Sequence, residues 1–198
     1  FAVGFKQKQI SVQCFTQDSE MLMPLDVDKF DKILTNLVSN ALKYSPEESS
    51  IKIDMAFVDK TSVETLFADS SGIDSDSWLK VVVADTGIGI PKDKQKAVFE
   101  RFYQIEHSTR QSTWGTGIGL FYTQQLVNLH YGFIKCESNT PKGTVFTFVL
   151  PQNIELYKDF IDNTNESPMD DIIDDSTPPE LAISETSVTQ LTLSLIHI

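Results

Sequence analysis

The sequence predicts an α+β fold, a two-layer sandwich in which a mixed β-sheet carries helices on one face. Three observations predict it. Residues 9–16 and 51–58 alternate apolar and polar side chains, which is typical of half-buried strands. Residues 79–84 are mostly apolar and rich in valine, which indicates a buried strand. Residues 30–42 place apolar side chains at helical spacing, so a helix can cover the sheet.

The negative charge of the chain is concentrated at its end. The 198 residues carry a formal net charge of −12, and most of the excess falls after residue 150, where acidic, Ser, Thr, Asn and Pro residues dominate. We therefore predict a folded domain over residues 1–151 and an acidic disordered linker or tail over residues 152–198. Neither part has the basic footprint of a nucleic-acid binder. The apolar residues 191–198 match no element and are interpreted as the start of another domain or a cloning artefact.

Cys14 and Cys136 each lie in a predicted strand. We interpret them as small core residues in a reducing compartment rather than as a disulfide. No apolar run is long enough to cross a bilayer, and the first residues lack the pattern of a signal peptide. This piece of chain is therefore expected to be soluble and to make no membrane contact, whatever segments precede it in a longer protein.

The first elements are predicted to be a hairpin and a long helix. Residues 9–16 lead through a polar turn into a second short strand at residues 21–25. The helix follows, with Asp26 or Asp28 as its N-cap. It ends before Pro46, because the residue that precedes a proline disfavours the helical conformation.

Three polar residues of this helix, Asn36, Asn40 and Lys43, fall outside its apolar stripe. Helical geometry places them within an arc of about 60° beside the buried face. One interpretation is an ordinary solvated face. The other is a ligand site, because asparagine oxygens can bind a hard cation such as Mg²⁺ and lysine can hold phosphate.

The stretch after the buried strand begins with Asp85 and continues with Gly87 and Gly89. An acidic residue at the end of a buried strand is costly without a partner, and the glycines let the backbone approach another group closely. Asp85 could therefore accept a hydrogen bond from an amine at the bottom of a pocket. A helix-capping role is the alternative that this segment alone leaves open.

The connections on either side of the buried strand are predicted to carry little function. Residues 59–77 are acidic and serine-rich and are interpreted as a long surface hairpin loop. Residues 92–102 are predicted to form a short helix with Val98, Phe99 and Phe102 on one face. Such an aromatic patch is expected to be a packing surface.

A second glycine-rich stretch, GTGIGL at residues 115–120, follows a polar segment at residues 104–114 and leads into a predicted helix at residues 118–130. Free N–H groups at a helix N-terminus suit a phosphate, and the polar segment could act as a lid. Gly132 is expected to be the C-cap of this helix. We interpret His130 as a structural residue that favours the helix dipole. A closing hairpin is predicted over residues 133–150.

Four segments occur in an order that resembles a known family. They are NLVSNALKYS at residues 36–45, DTGIGI at 85–90, FERFY at 99–103 and GTGIGL at 115–120. They resemble the N, G1, F and G2 boxes of the catalytic domain of sensor histidine kinases, which belongs to the GHKL or Bergerat-fold ATPases. The resemblance covers about residues 5–151 and implies a Bergerat fold with a flexible ATP lid. A weaker resemblance is to hybrid two-component sensors of Bacteroides-like bacteria.

The resemblance implies ATP and Mg²⁺ as ligands and assigns roles at the adenine end. Asp85 would accept a hydrogen bond from the adenine amino group. Gly87, Gly89 and Ile90 would shape the pocket beside the base, and Tyr44 would pack against adenine.

At the phosphate end the resemblance implies that Asn40 binds Mg²⁺. Asn36 and Lys43 would lie along the phosphates as the catalytic residues. The lid would be anchored by Phe99 and Phe102, and the closing loop over the triphosphate would comprise Gly115, Thr116, Gly117, Gly119 and Leu120.

Asn36 also separates subfamilies of the resembled ATPases. The hydrolases and the serine-directed kinases use a glutamate at this position as a base, and an amide is no base near neutral pH. A neutral imidazole already has a lone pair, so Asn36 favours transfer to histidine. One departure is Gln104, where many members carry arginine. This puts a γ-phosphate contact in doubt, although Arg101 or Arg110 could compensate.

The implied function is transfer of the ATP γ-phosphoryl group to a histidine on a dimerisation helix outside this fragment. The fragment alone is not expected to phosphorylate itself, since its first histidine is His107 in the lid. Implied partners are the phosphoacceptor helices of the same protein and a response-regulator receiver domain. The implied location is the cytoplasmic side of an inner-membrane sensor. A degenerate nucleotide-binding module and a hydrolase are the alternatives.

Overall fold

The computed structural model describes residues 2–17, 21–105, 116–157 and 187–191. Its helices are α1 (Ala2–Gln7), α2 (Val27–Tyr44), α3 (Lys60–Leu66) and α4 (Gly119–Leu129). Its strands are β1 (Ser11–Thr16), β2 (Met21–Leu25), β3 (Ser50–Asp59), β4 (Ser77–Asp85), β5 (Phe133–Ser138), β6 (Thr144–Pro151) and β7 (Ser187–Leu191). Short 3-10 turns occur at Ala68–Gly72, Lys92–Lys94, Ala97–Phe99 and Ile154–Tyr157.

The central sheet has the strand order β1-β3-β4-β6-β5. Strand β1 runs parallel to β3, whereas the other neighbours are antiparallel. Helices α2 and α4 bury apolar side chains in the same core as the strands, including Leu37 of α2, Leu126 of α4, and Val81 and Phe148 of the sheet. Each fully buried side chain of this size stabilises the fold by roughly 1.5–3 kcal/mol. The predicted α+β sandwich with a mixed sheet is confirmed.

The predicted opening hairpin is wrong. Strand β1 pairs with β3, with Ser11 opposite Ser50, and β2 pairs in an antiparallel manner with β7, with Leu25 opposite Ser187. Alternation of side chains identifies a strand but does not identify its partner, so two adjacent strands were assigned to each other. Strand β7 also lies within residues 152–198, and the division of the chain into a folded domain and an acidic tail stays a prediction.

The segment at residues 59–77 is not a plain loop. Asp59 ends β3 and caps α3, because its Oδ1 accepts a hydrogen bond from Ser62 N at 2.7 Å. Val63 of α3 is buried in a second apolar cluster together with Trp78 and Val149. Phe67 and Ile73 of the same segment pack against this cluster as well. The spacing of these three apolar residues fits neither a helix nor a strand, so the sequence did not indicate that the segment folds onto the sheet.

Residues 92–102 form two 3-10 turns rather than a helix. Val98 and Phe99 are buried, as predicted, but Phe102 is 59% exposed. The backbone is extended at Glu100 and left-handed at Phe102, with φ of 65°. This reversal of the chain turns Phe102 away from the face that the other two residues share.

The caps of the two long helices were predicted with mixed success. Asp26 is the N-cap of α2, since its Oδ1 accepts from Lys29 N at 3.0 Å. At the end of α4 the left-handed residue is Tyr131, with φ of 55°, and not Gly132. Gly132 N donates to Val127 O at 2.9 Å and Tyr131 N to Asn128 O at 2.9 Å, which is the Schellman pattern. Gly132 is required because a Cβ there would overlap Val149 O.

His130 is structural, but the dipole rationale for it is wrong. Its ring is fully buried, with Nε2 3.3 Å from Asp26 N and Nδ1 2.8 Å from Leu126 O. Nε2 therefore accepts and Nδ1 donates, which is a neutral imidazole. Burial lowers the pKa of His130 below its ordinary value, so the ring ties α2 to α4 without a charge.

Cys14 and Cys136 are free thiols, as predicted, with Cys136 buried and Cys14 half-buried. Burial raises the pKa of the Cys136 thiol to about 12. Among the helices that the structure describes, none has the length and apolarity that a bilayer crossing needs.

Candidate functional site

Asp85 stands at the end of β4, where the fold fixes its carboxylate. The Asp85 residue is 5% exposed, and Oδ1 accepts hydrogen bonds from Gly87 N at 2.8 Å and Thr144 N at 3.2 Å. Burial raises the pKa of the Asp85 carboxyl, and the hydrogen bonds from Gly87 and Thr144 oppose this shift in part. The carboxyl group is thus held in one orientation by neighbouring backbone.

The loop after Asp85 is joined to the C-terminal end of α2. Ile88 N donates to Tyr44 O at 3.1 Å. A Cβ on Gly87 would lie 2.6 Å from the same carbonyl and 2.8 Å from Asp85 Oδ1, so only glycine permits this approach. The structure therefore brings the segment at residues 85–90 against the end of the helix that carries Asn40.

The turn between β5 and β6 supports this loop from the other side. Asn139 Nδ2 donates to the Asp85 backbone carbonyl at 2.7 Å. Gly143 has φ of 118°, and a Cβ there would overlap the same Asp85 carbonyl. These residues, together with Thr144, were missed in the sequence. The sequence shows the turn at residues 141–143. It does not show that this turn contacts Asp85, because the two lie more than fifty positions apart along the chain.

The other end of the site is formed where α2 meets α4. Asn36 Nδ2 donates to Thr123 Oγ1 at 2.5 Å. A Cβ on Gly119 would lie 2.6 Å from Asn36 Oδ1, so glycine lets the first turn of α4 approach this amide. Asn40 is half-buried one helical turn further along α2. Helix α4 begins after Ile118 without a side-chain cap, which leaves its first N–H groups for water or an anion.

The glycine-rich loop also contacts the predicted anchor of the lid. Phe102 N donates to Gly117 O at 3.0 Å, and Gly117 has φ of 70°. A Cβ on Gly117 would lie 2.8 Å from the Phe102 carbonyl carbon. Thr116 is exposed and Leu120 is half-buried on the same stretch. Gly115, His107, Arg110 and Trp114 lie outside the described residues.

A cleft of about 950 Å³ opens beside the end of α2. Of the predicted site residues it is lined by Lys43, Tyr44, Gly89 and Ile90. Asp85 and Asn40 are not among its lining residues. Its remaining walls are Lys8, Ser45, Pro46, Ile88, Pro91, Ser138, Asn139, Pro141, Lys142 and Gly143. The lining therefore combines apolar side chains with three lysines and contains no carboxylate.

The residues present fit a magnesium ion that arrives with phosphates. Mg²⁺ keeps several waters and is commonly held by one or two protein oxygens plus phosphate oxygens rather than by a cage of side chains. Asn40 offers one amide oxygen, one helical turn after the Asn36 amide that meets the first turn of α4. The part of the chain that the structure describes contains no cluster of three or more acidic, histidine or cysteine side chains that could hold a metal by itself.

Comparison with known families identifies this arrangement. Residues 25–154 match the family model described as "Histidine kinase-, DNA gyrase B-, and HSP90-like ATPase". The chain belongs to this family. The match includes all four motifs, and the predicted membership of the GHKL ATPases is confirmed.

Similar curated proteins in this family are histidine kinases. The chain is 36% identical to sensor histidine kinase WalK of Bacillus subtilis over 143 residues, which are 72% of this chain and 21% of that protein. It is 30% identical to hybrid signal transduction histidine kinase D of Dictyostelium discoideum over 171 residues, 84% of this chain and 10% of that protein. The chain thus spans only a small part of the length of these relatives.

Solved structures of histidine kinases share the fold. The nucleotide-free catalytic domain of ThkA superposes with a TM-score of 0.60 at 24% identity, covering 78% of this chain and 87% of that chain. ThkA solved in complex with the response regulator protein TrrA gives a TM-score of 0.57 at 21% identity, covering 78% and 38%. At these identities the likeness supports the Bergerat fold of the ATPase family.

Proposed function

We propose that this domain binds Mg²⁺-ATP and transfers the γ-phosphoryl group to a histidine side chain carried by another segment of the same protein. The adenine amino group donates to Asp85, whose carboxylate the Gly87 and Thr144 N–H groups already orient. Tyr44 and Ile90 line the cleft beside the end of α2 and pack against the base from that side, although Asp85 itself does not line the cleft. Support for this placement comes from the fixed geometry of Asp85 and from the family to which the chain belongs.

The triphosphate runs from this cleft along α2 toward the start of α4. Lys43 supplies a positive charge, and the N–H groups after Ile118 supply donors and the positive end of the helix dipole. Asn40 holds Mg²⁺, which neutralises phosphate charge when bound. The glycine-rich loop closes over the triphosphate, and its described members are Thr116, Gly117, Gly119 and Leu120. Phe102 anchors this loop through the hydrogen bond from its N–H to Gly117 O.

The observation that carries the choice of reaction is the position of Asn36. Its amide lies one helical turn before Asn40 and is hydrogen-bonded to Thr123 Oγ1. An amide cannot take a proton from water or from a hydroxyl near neutral pH. A neutral imidazole attacks the γ-phosphorus with its own lone pair, the bond to the bridging oxygen breaks and ADP leaves, so no base is needed at residue 36.

The partners follow from this reaction. The acceptor is a histidine on phosphoacceptor helices of the same protein, and the phosphoryl group then passes to a receiver domain of a response regulator. The complex of ThkA with TrrA supports the second partner by analogy. We place the domain on the cytoplasmic side of a membrane-anchored sensor, with no nucleic-acid or membrane contact of its own. Hybrid architecture of Bacteroides type stays a prediction.

Nucleotide binding tests the site. A fluorescent ATP analogue is titrated with and without Mg²⁺ into the wild-type chain, Asp85→Asn and Asn40→Asp, with Asp54→Asn as the control because Asp54 pairs only with Lys52 at the surface among the ion pairs of the described residues. We expect Asp85→Asn to lose about tenfold or more in affinity, the cost of a well-placed charged hydrogen bond. Asn40→Asp should change the Mg²⁺ dependence, and Asp54→Asn should match wild type.

Equal binding by wild type and Asp85→Asn would contradict the placement of the base. Binding of nucleotide by the wild-type chain, together with failure to transfer phosphate to any added acceptor, would favour a degenerate module that only senses nucleotide. Gln104 is the residue that favours this second function, because it replaces the arginine that many members of the family carry.

A further inference from the structure

The C-terminal end of α2 is capped by a lysine from a distant part of the chain. Lys8 Nζ donates to Leu42 O at 2.9 Å, to Lys43 O at 3.3 Å and to Ser45 O at 3.0 Å. An ammonium group has three donors, so all three are used on backbone carbonyls. The last carbonyls of a helix have no partner within the helix and carry its negative dipole end, which favours a cation there.

The one carbonyl that Lys8 does not take belongs to Tyr44, and it accepts from Ile88 N at 3.1 Å. The four consecutive carbonyls at residues 42–45 are therefore divided between two donors from outside the helix. Three bind Lys8, and the fourth binds the loop that follows Asp85. This division fixes the rotation of the last turn of α2, which carries Lys43 and Tyr44 on the wall of the cleft.

Lys8 is itself held in place on both sides. Its backbone carbonyl accepts from Glu48 N at 3.1 Å, and its N–H donates to Gly4 O at 3.2 Å. Gly4 packs against α2, since a Cβ there would lie 2.9 Å from Leu42 Cδ2, and the neighbouring Phe5 is buried in the core. The ammonium therefore reaches α2 from a fixed backbone and not from a loose side chain at the surface.

We propose that Lys8 is a positioning residue for the adenine end of the nucleotide site, a role that rests on the function proposed above. Without the ammonium, three carbonyls lose their donor and the last turn of α2 can unwind, which moves Tyr44 away from the base. The phosphate end is held separately, because Asn36 bonds to Thr123 two turns earlier in the helix. The effect is therefore larger for the base than for the phosphates, which depend on this turn only through Lys43.

The test compares ligands that occupy one end or both. Affinities for Mg²⁺-ATP and for Mg²⁺-tripolyphosphate, which lacks a base, are measured by competition with a fluorescent nucleotide on the whole chain. The variants are Lys8→Met, Lys8→Arg and the control Lys6→Met, which removes an exposed lysine from α1. We expect Lys8→Met to weaken ATP about tenfold and tripolyphosphate, which loses only the placement of Lys43, about threefold or less, a contrast that a general loss of stability does not produce.

Lys8→Arg should lie between Lys8→Met and wild type, because a guanidinium keeps the charge but not the geometry of three donors around one nitrogen. If Lys8→Met fails to fold, Lys8→Arg serves as the test. The proposal then requires that Lys8→Arg lose about twofold or more in ATP affinity and less in tripolyphosphate affinity. Lys6→Met should match wild type.

The proposal is overturned if ATP affinity is unchanged in both Lys8 variants. It is also overturned if ATP and tripolyphosphate weaken in parallel, which would mean that Lys8 binds phosphate directly or only supports global folding. Failure of the proposed function gives a different result, because the wild-type chain would then bind neither ligand.

Discussion

The two ends of the proposed nucleotide site are held together in different ways. At the adenine end several contacts join backbone to backbone, such as Ile88 N with Tyr44 O and Asn139 N with Gly143 O. At the phosphate end the contact that joins α2 to α4 runs between two side chains, Asn36 and Thr123. Backbone contacts move only when the fold moves, whereas a side-chain contact changes with one rotamer. The adenine end is therefore part of the fold, and the phosphate end can adapt to its ligand.

The largest expected effect is that of Gly143→Ala at the adenine end. The added Cβ would overlap the Asp85 carbonyl, and φ of 118° is unfavourable for alanine. We expect a loss of about 3 kcal/mol or more in the free energy of unfolding, measured with urea, together with loss of ATP binding. Gly72→Ala is the matched control because nothing lies within 4 Å of its Cβ position. Equal stability of the two variants would contradict a rigid adenine end.

The corresponding change at the phosphate end, Gly119→Ala, should act on binding and not on stability. Its Cβ meets the Asn36 amide at 2.6 Å, and that side chain can rotate away. Alanine is also a better helix former than glycine. We expect the free energy of unfolding to change by less than about 1 kcal/mol and ATP affinity to fall about tenfold. A large loss of stability in Gly119→Ala would remove the distinction between the two ends.

Protonation of His130 is expected to destabilise the contact between α2 and α4, the helices that carry both ends of the proposed site. The pKa of this ring is lowered by burial from its ordinary 6.5, so the unfolded chain takes up a proton first as pH falls. Stability is therefore full above pH 6.5 and declines below it, by at most about 1.4 kcal/mol per pH unit for this one group. His130→Gln should be less stable but should lose this pH slope. Asp85, whose pKa burial raises, contributes with the opposite sign at lower pH.

An unchanged slope in His130→Gln, read from urea unfolding at each pH, would assign the titration to another group. At each pH we expect the affinities for ATP and for tripolyphosphate to change in the same proportion, because α2 and α4 are joined by this ring and both ends depend on them.

The smallest effect is expected for Ser45→Ala, which removes a buried hydroxyl at the adenine end. Ser45 is 2% exposed, and its Oγ has no hydrogen-bond partner among the described residues. Because such a hydroxyl is desolvated without compensation, its removal should leave stability unchanged or raise it by up to about 1 kcal/mol. Thermal unfolding measures this, with Ser49→Ala as a control that deletes a bonded hydroxyl, since Ser49 Oγ donates to Pro46 O at 2.7 Å. Ser45→Ala being the less stable of the two would show that the hydroxyl has a partner.

The sequence predicted the elements better than it predicted their partners. Periodicity located α2, β4 and the closing hairpin because each depends on neighbours a few residues away. Strand pairing failed for β1 and β2, since it is determined by the packing of the whole sheet. The cap at Tyr131 also escaped prediction, because a glycine one residue later offered a simpler explanation.

For the site, motif order gave the residues but not the contacts that hold them. The four motifs named Asp85 and Asn36 with their neighbours, and the family match confirms the motifs as a set. Lys8, Asn139 and Gly143 act on residues 34 to 58 positions away along the chain, and no sequence pattern indicates these contacts. Contacts of this kind appear only when the fold is known. The individual roles of the predicted ligands stay predictions.

In the proposed reaction this site delivers a phosphoryl group to histidine rather than to water. The direct measurement adds phosphoacceptor helices to the wild-type chain with γ-labelled ATP and compares acid-labile phosphohistidine with released phosphate. We expect phosphohistidine to dominate for the wild type, and Asn36→Glu to shift the product toward inorganic phosphate because a carboxylate can activate water. Release of phosphate without phosphohistidine by the wild type, or an unchanged product ratio in Asn36→Glu, would contradict the account.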